Sequence, residues 1–259
     1  MLISVSKFKL NGNFTAIIIT MCFTKSNTKS AEENEKRFKA SFIAPEIYQS
    51  YYARSGYSTD YLYIIKQNES EIINPAYWGL LPENITIDKR QEYLSQYRTY
   101  NARVDKILNN QNRAAYFIKS QRCIILADGI FEPHYRSDIS YPHYIKYHDH
   151  GLFALAGVYT ELDDGLYTTT IITREANPYF AEIHNKKKQG TFRMPLILNQ
   201  EDESNWLSND LNTSDITELL NSFTSKKFVD YPVRKSSGHP INNAEGIQPF
   251  FYPEQQSLF

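Results

Sequence analysis

Strand-like runs of apolar and β-branched residues recur along the chain and are separated by short polar segments. Residues 61–65 are strand formers bounded by polar positions, and residues 122–135 predict two buried strands bent at Asp128-Gly129. Asp163-Asp164-Gly165 is typical of a hairpin turn into a strand over residues 167–173. Further strands are predicted at 142–147, 153–160, 193–198 and 228–233. This pattern predicts a mainly antiparallel sheet.

Helical segments are shorter and lie between these runs. Asn177-Pro178 indicates a helix start, because Asn is a good N-cap and Pro suits the first helical turn. This helix is expected to end near His184. Asp88 is expected to cap another helix that reaches Tyr97. Other helices are predicted at 31–38, after Pro45, and at 113–120, 201–207 and 214–223.

Composition limits the possible functions. The chain has 259 residues, 41% of them hydrophobic, which is enough for a substantial core. Lys and Arg total 28 against 29 for Asp and Glu, so no global charge attracts nucleic acid and DNA binding would need a local basic patch. The apolar run 16–19 is too short to span a membrane. We therefore expect no membrane association.

Met21-Cys22 is a candidate reactive site. If translation starts at Met21 and this methionine is removed, Cys22 carries both a free α-amine and a thiol. The amine has a reference pKa near 8, so roughly a tenth of it is neutral at pH 7 and can attack an aldehyde. The neighbouring thiol can then close a five-membered ring. The alternative is that Cys22 is an ordinary residue in an N-terminal strand.

Glu132 is the second unusual position. It stands among Ile130, Phe131 and Tyr135, where a carboxylate must face water, find a partner or have a raised pKa. Cys123, within an apolar strand, is expected to be a buried and inert thiol.

Metal and cofactor signals are weak. The two cysteines form no CxxC pair, which suits a reducing cytosol. His148 and His150 lack a third ligand nearby, so a polar turn is favoured over a metal site. No cofactor and no metal is expected.

Four stretches in order resemble the SOS-response-associated peptidase family, the abasic-site processing proteins. They cover the chain from Met21 to about Arg234. The stretches are Met21-Cys22, Trp78-Gly79-Leu80-Leu81-Pro82 with Asn101-Ala102-Arg103, residues 122–132, and Ile183-His184 with Arg193-Met194-Pro195. In that family the N-terminal cysteine forms a thiazolidine with the ring-opened aldehyde of an abasic site in single-stranded DNA.

The resemblance implies four catalytic residues. Cys22 is the nucleophile through its amine and sulfur, and Asn101 holds the sugar or the amine. Glu132 moves protons during ring opening and imine formation, which agrees with the expected effect of burial on its pKa. His184 acts as an acid or base near the deoxyribose oxygen.

The resemblance also implies four DNA-binding residues. Arg103 and Arg193 contact phosphates, and Trp78 stacks on or wedges against distorted DNA. Lys25 is expected to replace a phosphate contact that family members make with an Arg soon after the cysteine. An apparent insertion at 187–192, between His184 and Arg193, is basic enough to be a further candidate for DNA contact.

We therefore expect a single α+β domain with a curved, barrel-like, mainly antiparallel sheet and peripheral helices. Residues 1–20 are interpreted as a start-site artefact or removable leader, 21–235 as the domain and 236–259 as a tail. The protein is expected to be a cytoplasmic monomer that associates with the nucleoid through DNA. Two alternatives are a cysteine peptidase that exposes Cys22 by autoproteolysis, and a non-covalent single-stranded DNA binding module.

Overall fold

A computed structural model describes residues 23–58, 60–187, 190–222, 224–236 and 239–253 of the chain. Met21, Cys22 and the predicted extension 1–20 lie outside the described residues.

Short helices and fifteen strands alternate along these residues. The strands are β1 (Thr24–Asn27), β2 (Ser41–Phe42), β3 (Tyr51–Ser55), β4 (Tyr61–Lys66), β5 (Glu69–Trp78), β6 (Asn101–Arg103), β7 (Arg122–Ala127), β8 (Gly129–Arg136), β9 (Ile139–Tyr147), β10 (Phe153–Glu161), β11 (Tyr167–Glu175), β12 (Arg193–Pro195), β13 (Phe228–Pro232), β14 (Lys235–Ser236) and β15 (His239–Pro240). The α-helices are α1 (Ala31–Phe38), α2 (Arg90–Tyr97), α3 (Val104–Leu108), α4 (Ala114–Phe117), α5 (Pro178–Ile183), α6 (Glu203–Leu207) and α7 (Thr213–Leu220).

The larger sheet curls until it closes on itself. Its strands follow the order β12-β11-β10-β7-β4-β5-β2, and β11 also pairs with β5. The β11–β5 pairing is parallel, whereas β10–β11, β10–β7, β4–β7 and β4–β5 are antiparallel. Apolar side chains such as Leu62, Ile64 and Phe153 fill the interior and are fully buried. Closure leaves fewer open strand edges to pair with other chains.

The smaller sheet is joined to the larger one at Asp128. Its strands follow the order β13-β9-β8-β1-β3. Here the chain leaves β7 in the ring and enters β8. Asp128 accepts hydrogen bonds from the hydroxyls of Ser26 (2.6 Å) and Thr28, which fasten β1 to this bend. A Cβ on Gly129 would lie 2.2 Å from the Tyr144 ring, so only glycine fits at this position.

The predicted fold class is confirmed: the chain is a single α+β domain with a curled, mainly antiparallel sheet. The predicted strand bend at Asp128-Gly129 and the helix that starts at Asn177-Pro178 are also confirmed.

Several predicted boundaries were wrong. Asp88 lies inside a 3-10 turn, Ile87–Lys89, and α2 begins only at Arg90. The helix predicted at 113–120 has a four-residue α-helical part, Ala114–Phe117. The strand predicted at 193–198 pairs with β11 only as far as Pro195, because Ile197 then forms a bridge to Leu155 in β10. Short segments that change partners carry little periodic signal, which explains these errors.

Across the residues described here, no helix is long and apolar enough to cross a membrane.

Candidate active site

A cleft of about 420 Å³ lies where β1 enters the smaller sheet. The N-terminal end of β1 and strand β8 supply one part of its wall, and the loop after β3 supplies another. Pro142 of β9 and the hairpin strand β15 complete it. The lining residues are Phe23, Thr24, Ser55, Tyr57, Phe131, Glu132, Pro133, Pro142, His239 and Pro240.

Glu132 and His184 form a buried acid–base pair at this cleft. The Nδ1 atom of His184 lies 2.8 Å from Oε2 of Glu132, within hydrogen-bond distance. The side chain of His184 is 4% exposed and that of Glu132 is 0% exposed. Low solvent access strengthens such an interaction, because water cannot screen it. The structure therefore brings together two of the predicted catalytic residues.

The position of His184 follows from helix α5. The Asn177 side chain accepts a hydrogen bond from the Phe180 amide at 3.0 Å, and Pro178 occupies the first turn. Phe180 and Ile183 are buried and fix which side of the helix faces the sheet. The helix ends at Ile183, so His184 lies at its C-terminal boundary, where its amide still bonds to the Phe180 carbonyl at 2.9 Å.

Phe23 and Tyr57 form an aromatic stack at the cleft, with Trp78 behind Phe23. The rings of Phe23 and Tyr57 are stacked with centroids 4.9 Å apart, and the Trp78 ring lies 6.5 Å from Phe23. Tyr57 is 43% exposed, whereas Trp78 is 2% exposed and donates its indole N–H to the Tyr100 carbonyl. Trp78 thus lies in the interior behind the partly buried Phe23, and its predicted stacking on DNA stays a prediction.

Arg103 and Arg193 converge on one carboxylate. Arg103 donates two hydrogen bonds to Asp105 at 2.9 and 2.7 Å, and a guanidinium nitrogen of Arg193 lies 3.7 Å from the same carboxylate. Arg193 also donates to the Thr173 carbonyl at 2.8 Å. The hydrogen bond from Arg103 is the main reason that the pKa of Asp105 lies below its usual value. Asp105 thus holds the two guanidinium groups close together.

Asn101 lies two residues before Arg103 in β6, pairs with Ile171 of β11, and is partly buried. Because side chains alternate along a strand, Asn101 and Arg103 share one face. Lys25 is completely buried in β1, with its ammonium 5.9 Å from the Trp78 ring. The predicted roles of Asn101 and Lys25 stay predictions, and Cys22 lies outside the described residues.

Cys123 is fully buried in β7, and burial raises the pKa of its thiol to about 12. The thiolate is the reactive form of cysteine, so this residue is unreactive near neutral pH. In the part of the chain that the structure covers, no cluster of three or more His, Cys, Asp or Glu residues could hold a metal ion.

Sequence reasoning missed several residues around the site. Asp105 follows Arg103 by two positions, so local spacing could have suggested the pair. Tyr57 and His239 line the cleft but come from segments without a distinctive pattern. His143 and Asp230 form a second imidazole–carboxylate pair at 2.7 Å although 87 positions separate them. No sequence signal indicates a contact over that separation.

Known proteins resemble this chain over most of its length. A model of the family described as SOS response associated peptidase (SRAP) matches residues 21–240. The abasic site processing protein YoaM of Bacillus subtilis is 32% identical over 194 residues, which are 72% of this chain and 79% of that protein. The abasic site processing protein YMR114C of Saccharomyces cerevisiae is 26% identical over 241 residues, which are 90% of this chain and 62% of that protein.

A solved structure supports the same relationship. The crystal structure of a protein from Bacteroides thetaiotaomicron superposes with a TM-score of 0.75 at 28% identity, covering 89% of this chain and all of that one. Since the family match spans most of the chain and includes the Glu132–His184 pair, the chain belongs to the SOS response associated peptidase (SRAP) family, whose related members include abasic site processing proteins.

Proposed function

We propose that this protein recognises abasic sites in single-stranded DNA and becomes covalently attached to them through Cys22. The observation that carries the proposal is the buried Glu132–His184 pair at a cleft that Phe23 also lines. Cys22 directly precedes Phe23, and consecutive Cα atoms are only ~3.8 Å apart. This adjacency in the sequence supports a role for Cys22 at the cleft.

The covalent step requires a free α-amine on Cys22. The ring-opened sugar presents an aldehyde; the amine attacks its carbon, and loss of water gives an imine. The thiol sulfur then adds to the imine carbon, and its proton passes to the nitrogen, which closes the thiazolidine. Glu132 and His184 supply and remove the protons for ring opening and dehydration, and a positioned acid or base typically accelerates such steps about 10²–10⁴-fold.

In this proposal the DNA strand is bound by Arg103 and Arg193 and by the stacked rings of Phe23 and Tyr57. Arg103 and Arg193 provide positive charge for backbone phosphates, and Arg suits phosphate because its donors form a planar fork. Tyr57 and Phe23 offer ring faces on which a base can stack, an interaction that tolerates any sequence. The net charge near −1 keeps the remaining surface from attracting DNA broadly.

The test compares protein forms that begin at Cys22 and at Met1. Each is mixed with a single-stranded oligonucleotide that contains one abasic site, and heat-stable adducts are separated on a denaturing gel. We expect an adduct only when Cys22 is N-terminal. Cys22→Ala should abolish it, and the control Cys123→Ala should not, because Cys123 is buried.

An undiminished adduct from Cys22→Ala would refute the proposal. Salt-sensitive binding that depends on neither Cys22 nor an aldehyde would instead identify a non-covalent single-stranded DNA binding module.

We propose as a second candidate that Cys22 and His184 cleave the peptide bond before Cys22. The description of the family as a peptidase favours this activity, and a thiol near a histidine and a carboxyl group is suited to it. Intact-mass measurement of the Met1 form over time should show loss of residues 1–21, and this loss should be prevented in Cys22→Ala. A mass that never changes in the unmodified protein would exclude self-cleavage.

A further inference from the structure

Three side chains from three elements form a hydrogen-bonded chain beside the cleft. The Tyr179 hydroxyl of α5 donates to Oδ1 of Asp230 in β13 at 2.8 Å. The other carboxylate oxygen of Asp230, Oδ2, lies 2.7 Å from Nδ1 of His143 in β9. Burial favours the neutral acid, but hydrogen bonds from His143 and Tyr179 outweigh this effect, and the pKa of Asp230 lies below its usual value. Asp230 is therefore an anion that links α5 to the sheet.

A second contact holds the other end of α5. The Nδ1 atom of His134 lies 2.9 Å from the Ile183 carbonyl oxygen, and a carbonyl can only accept, so Nδ1 carries the proton. The rings of His134 and His143 are 4.9 Å apart. Tyr179 is near the first turn of the helix and Ile183 is its last residue, so the two contacts hold both ends.

The same face of the sheet carries Glu132. In the β8–β9 ladder Glu132 lies directly opposite His143, and directly paired residues project to one side. His184 follows Ile183, and its ring reaches Glu132 from α5. The titratable and charged groups on this face include Lys25 from β1, Glu132, His134 and Arg136 from β8, Tyr141, His143 and Tyr147 from β9, Asp230 from β13, and Tyr179 and His184 from the α5 segment.

Helix α5 has only six residues, and so short a helix has little stability of its own. Its orientation depends on the side chains that attach it. Tyr179 and Phe180 also pack against Phe228, so loss of one hydroxyl leaves the helix in contact with the sheet. The hydrogen bonds can then be removed without removing the packing.

We propose that Asp230, through Tyr179 and His143, is a positioning residue that sets the distance between His184 and Glu132. This role rests on the proposed function of that pair. Small displacements of reacting groups have large kinetic effects: a shift of 1 Å can cost about 100-fold in rate.

The test uses Tyr179→Phe and Asp230→Asn in the form that begins at Cys22, with Tyr231→Phe as a matched control. The Tyr231 hydroxyl donates to the Ile247 carbonyl at 2.9 Å, so the control also loses one partly buried hydroxyl contact but leaves α5 untouched. Two readouts are taken: the NMR titration of the His184 ring without DNA, and the pH profile of adduct formation at saturating abasic oligonucleotide.

We expect Tyr179→Phe and Asp230→Asn to slow adduct formation by about tenfold, within the range for misplaced groups. Half-saturating DNA concentration should not change. The His184 titration should shift in both variants and stay unchanged in Tyr231→Phe. If Asp230→Asn does not fold, Tyr179→Phe decides alone, since it keeps the ring.

An unaltered His184 titration in folded Tyr179→Phe would overturn the positioning role. Equal slowing by Tyr231→Phe would also overturn it, because loss of any hydroxyl would then suffice. If the unmodified protein forms no adduct, the proposed function fails, while the DNA-free titration still decides whether Asp230 positions His184.

Discussion

Two imidazole–carboxylate pairs lie on one face of the smaller sheet and differ in their surroundings. His184 and Glu132 are 2.8 Å apart with side chains 4% and 0% exposed, and His143 and Asp230 are 2.7 Å apart with side chains 12% and 23% exposed. The contact geometry is almost the same. What separates the pairs is the set of elements that each one connects.

Glu132 is one of the residues that line the cleft, and its side chain is fully buried beside it. Asp230 does not line the cleft and accepts a further hydrogen bond from Tyr179, which occupies its second oxygen. The proposed function assigns proton transfer to the first pair, whereas Asp230 of the second pair also binds Tyr179 and so links β13 to helix α5. The role of an imidazole–carboxylate pair therefore depends on the other groups that its atoms contact.

Among the variants that distinguish the two pairs, Glu132→Gln should have the largest effect, and this effect is on the rate of adduct formation. Gln keeps the shape of the side chain but cannot exchange a proton, so adduct formation should slow about 100-fold or more, as for loss of a positioned acid or base. Single-turnover gel kinetics with abasic oligonucleotide measure this rate, and filter binding should show unchanged DNA affinity. Unchanged kinetics would remove Glu132 from the mechanism and make the two pairs equivalent.

The second largest difference between the two pairs is expected in the free energy of unfolding when each histidine is replaced by alanine. His184→Ala removes the imidazole that faces a fully buried carboxyl group, and breaking a buried pair costs about 3–5 kcal/mol. His143→Ala should cost less, about 1–3 kcal/mol, because Asp230 keeps its bond to Tyr179 and is partly hydrated. Urea denaturation of both variants measures the free energy of unfolding. Equal losses would show that burial does not distinguish the two pairs.

His134 lies between the two pairs and should make the stability of the protein depend on pH. Burial lowers the pKa of His134. The unfolded chain therefore binds this proton more readily, so the stabilisation is complete above the unfolded pKa of about 6.5 and is lost as the pH falls through the folded-state pKa. Urea denaturation at pH 7.5, 6 and 5 should show decreasing stability. In His134→Gln the decrease should be smaller; an identical slope would contradict this assignment.

The smallest effect is expected for an ion pair outside both networks. Lys186 and Asp138 are 3.0 Å apart, with side chains 54% and 91% exposed. Exposed pairs contribute about 0–1 kcal/mol, so Lys186→Ala should change the free energy of unfolding by less than about 0.5 kcal/mol. The same urea titration provides the comparison. A loss as large as that of His143→Ala would mean that exposure is a poor guide here.

Local sequence was informative where one segment forms one element. The strands β4, β7, β8, β10 and β11 and the cap at Asn177 could be predicted, because alternation and capping chemistry operate over a few residues. It was less informative at 193–198, where the chain changes its strand partner after Pro195. Glu132 was singled out by the mismatch between a carboxylate and its apolar neighbours.

The sequence by itself indicated several of the longer strands, the ordered stretches typical of the family and the candidates Glu132 and His184. Only the tertiary structure decided that these two side chains, 52 positions apart in the sequence, lie 2.8 Å from each other, and that His143 contacts Asp230, 87 positions away. The reason is physical: alternation determines which residues of a strand share a face, but the identity of the neighbouring strand depends on closure of the whole sheet. Contacts between distant segments carry no local pattern, so the second pair and its bond to α5 emerge only on folding.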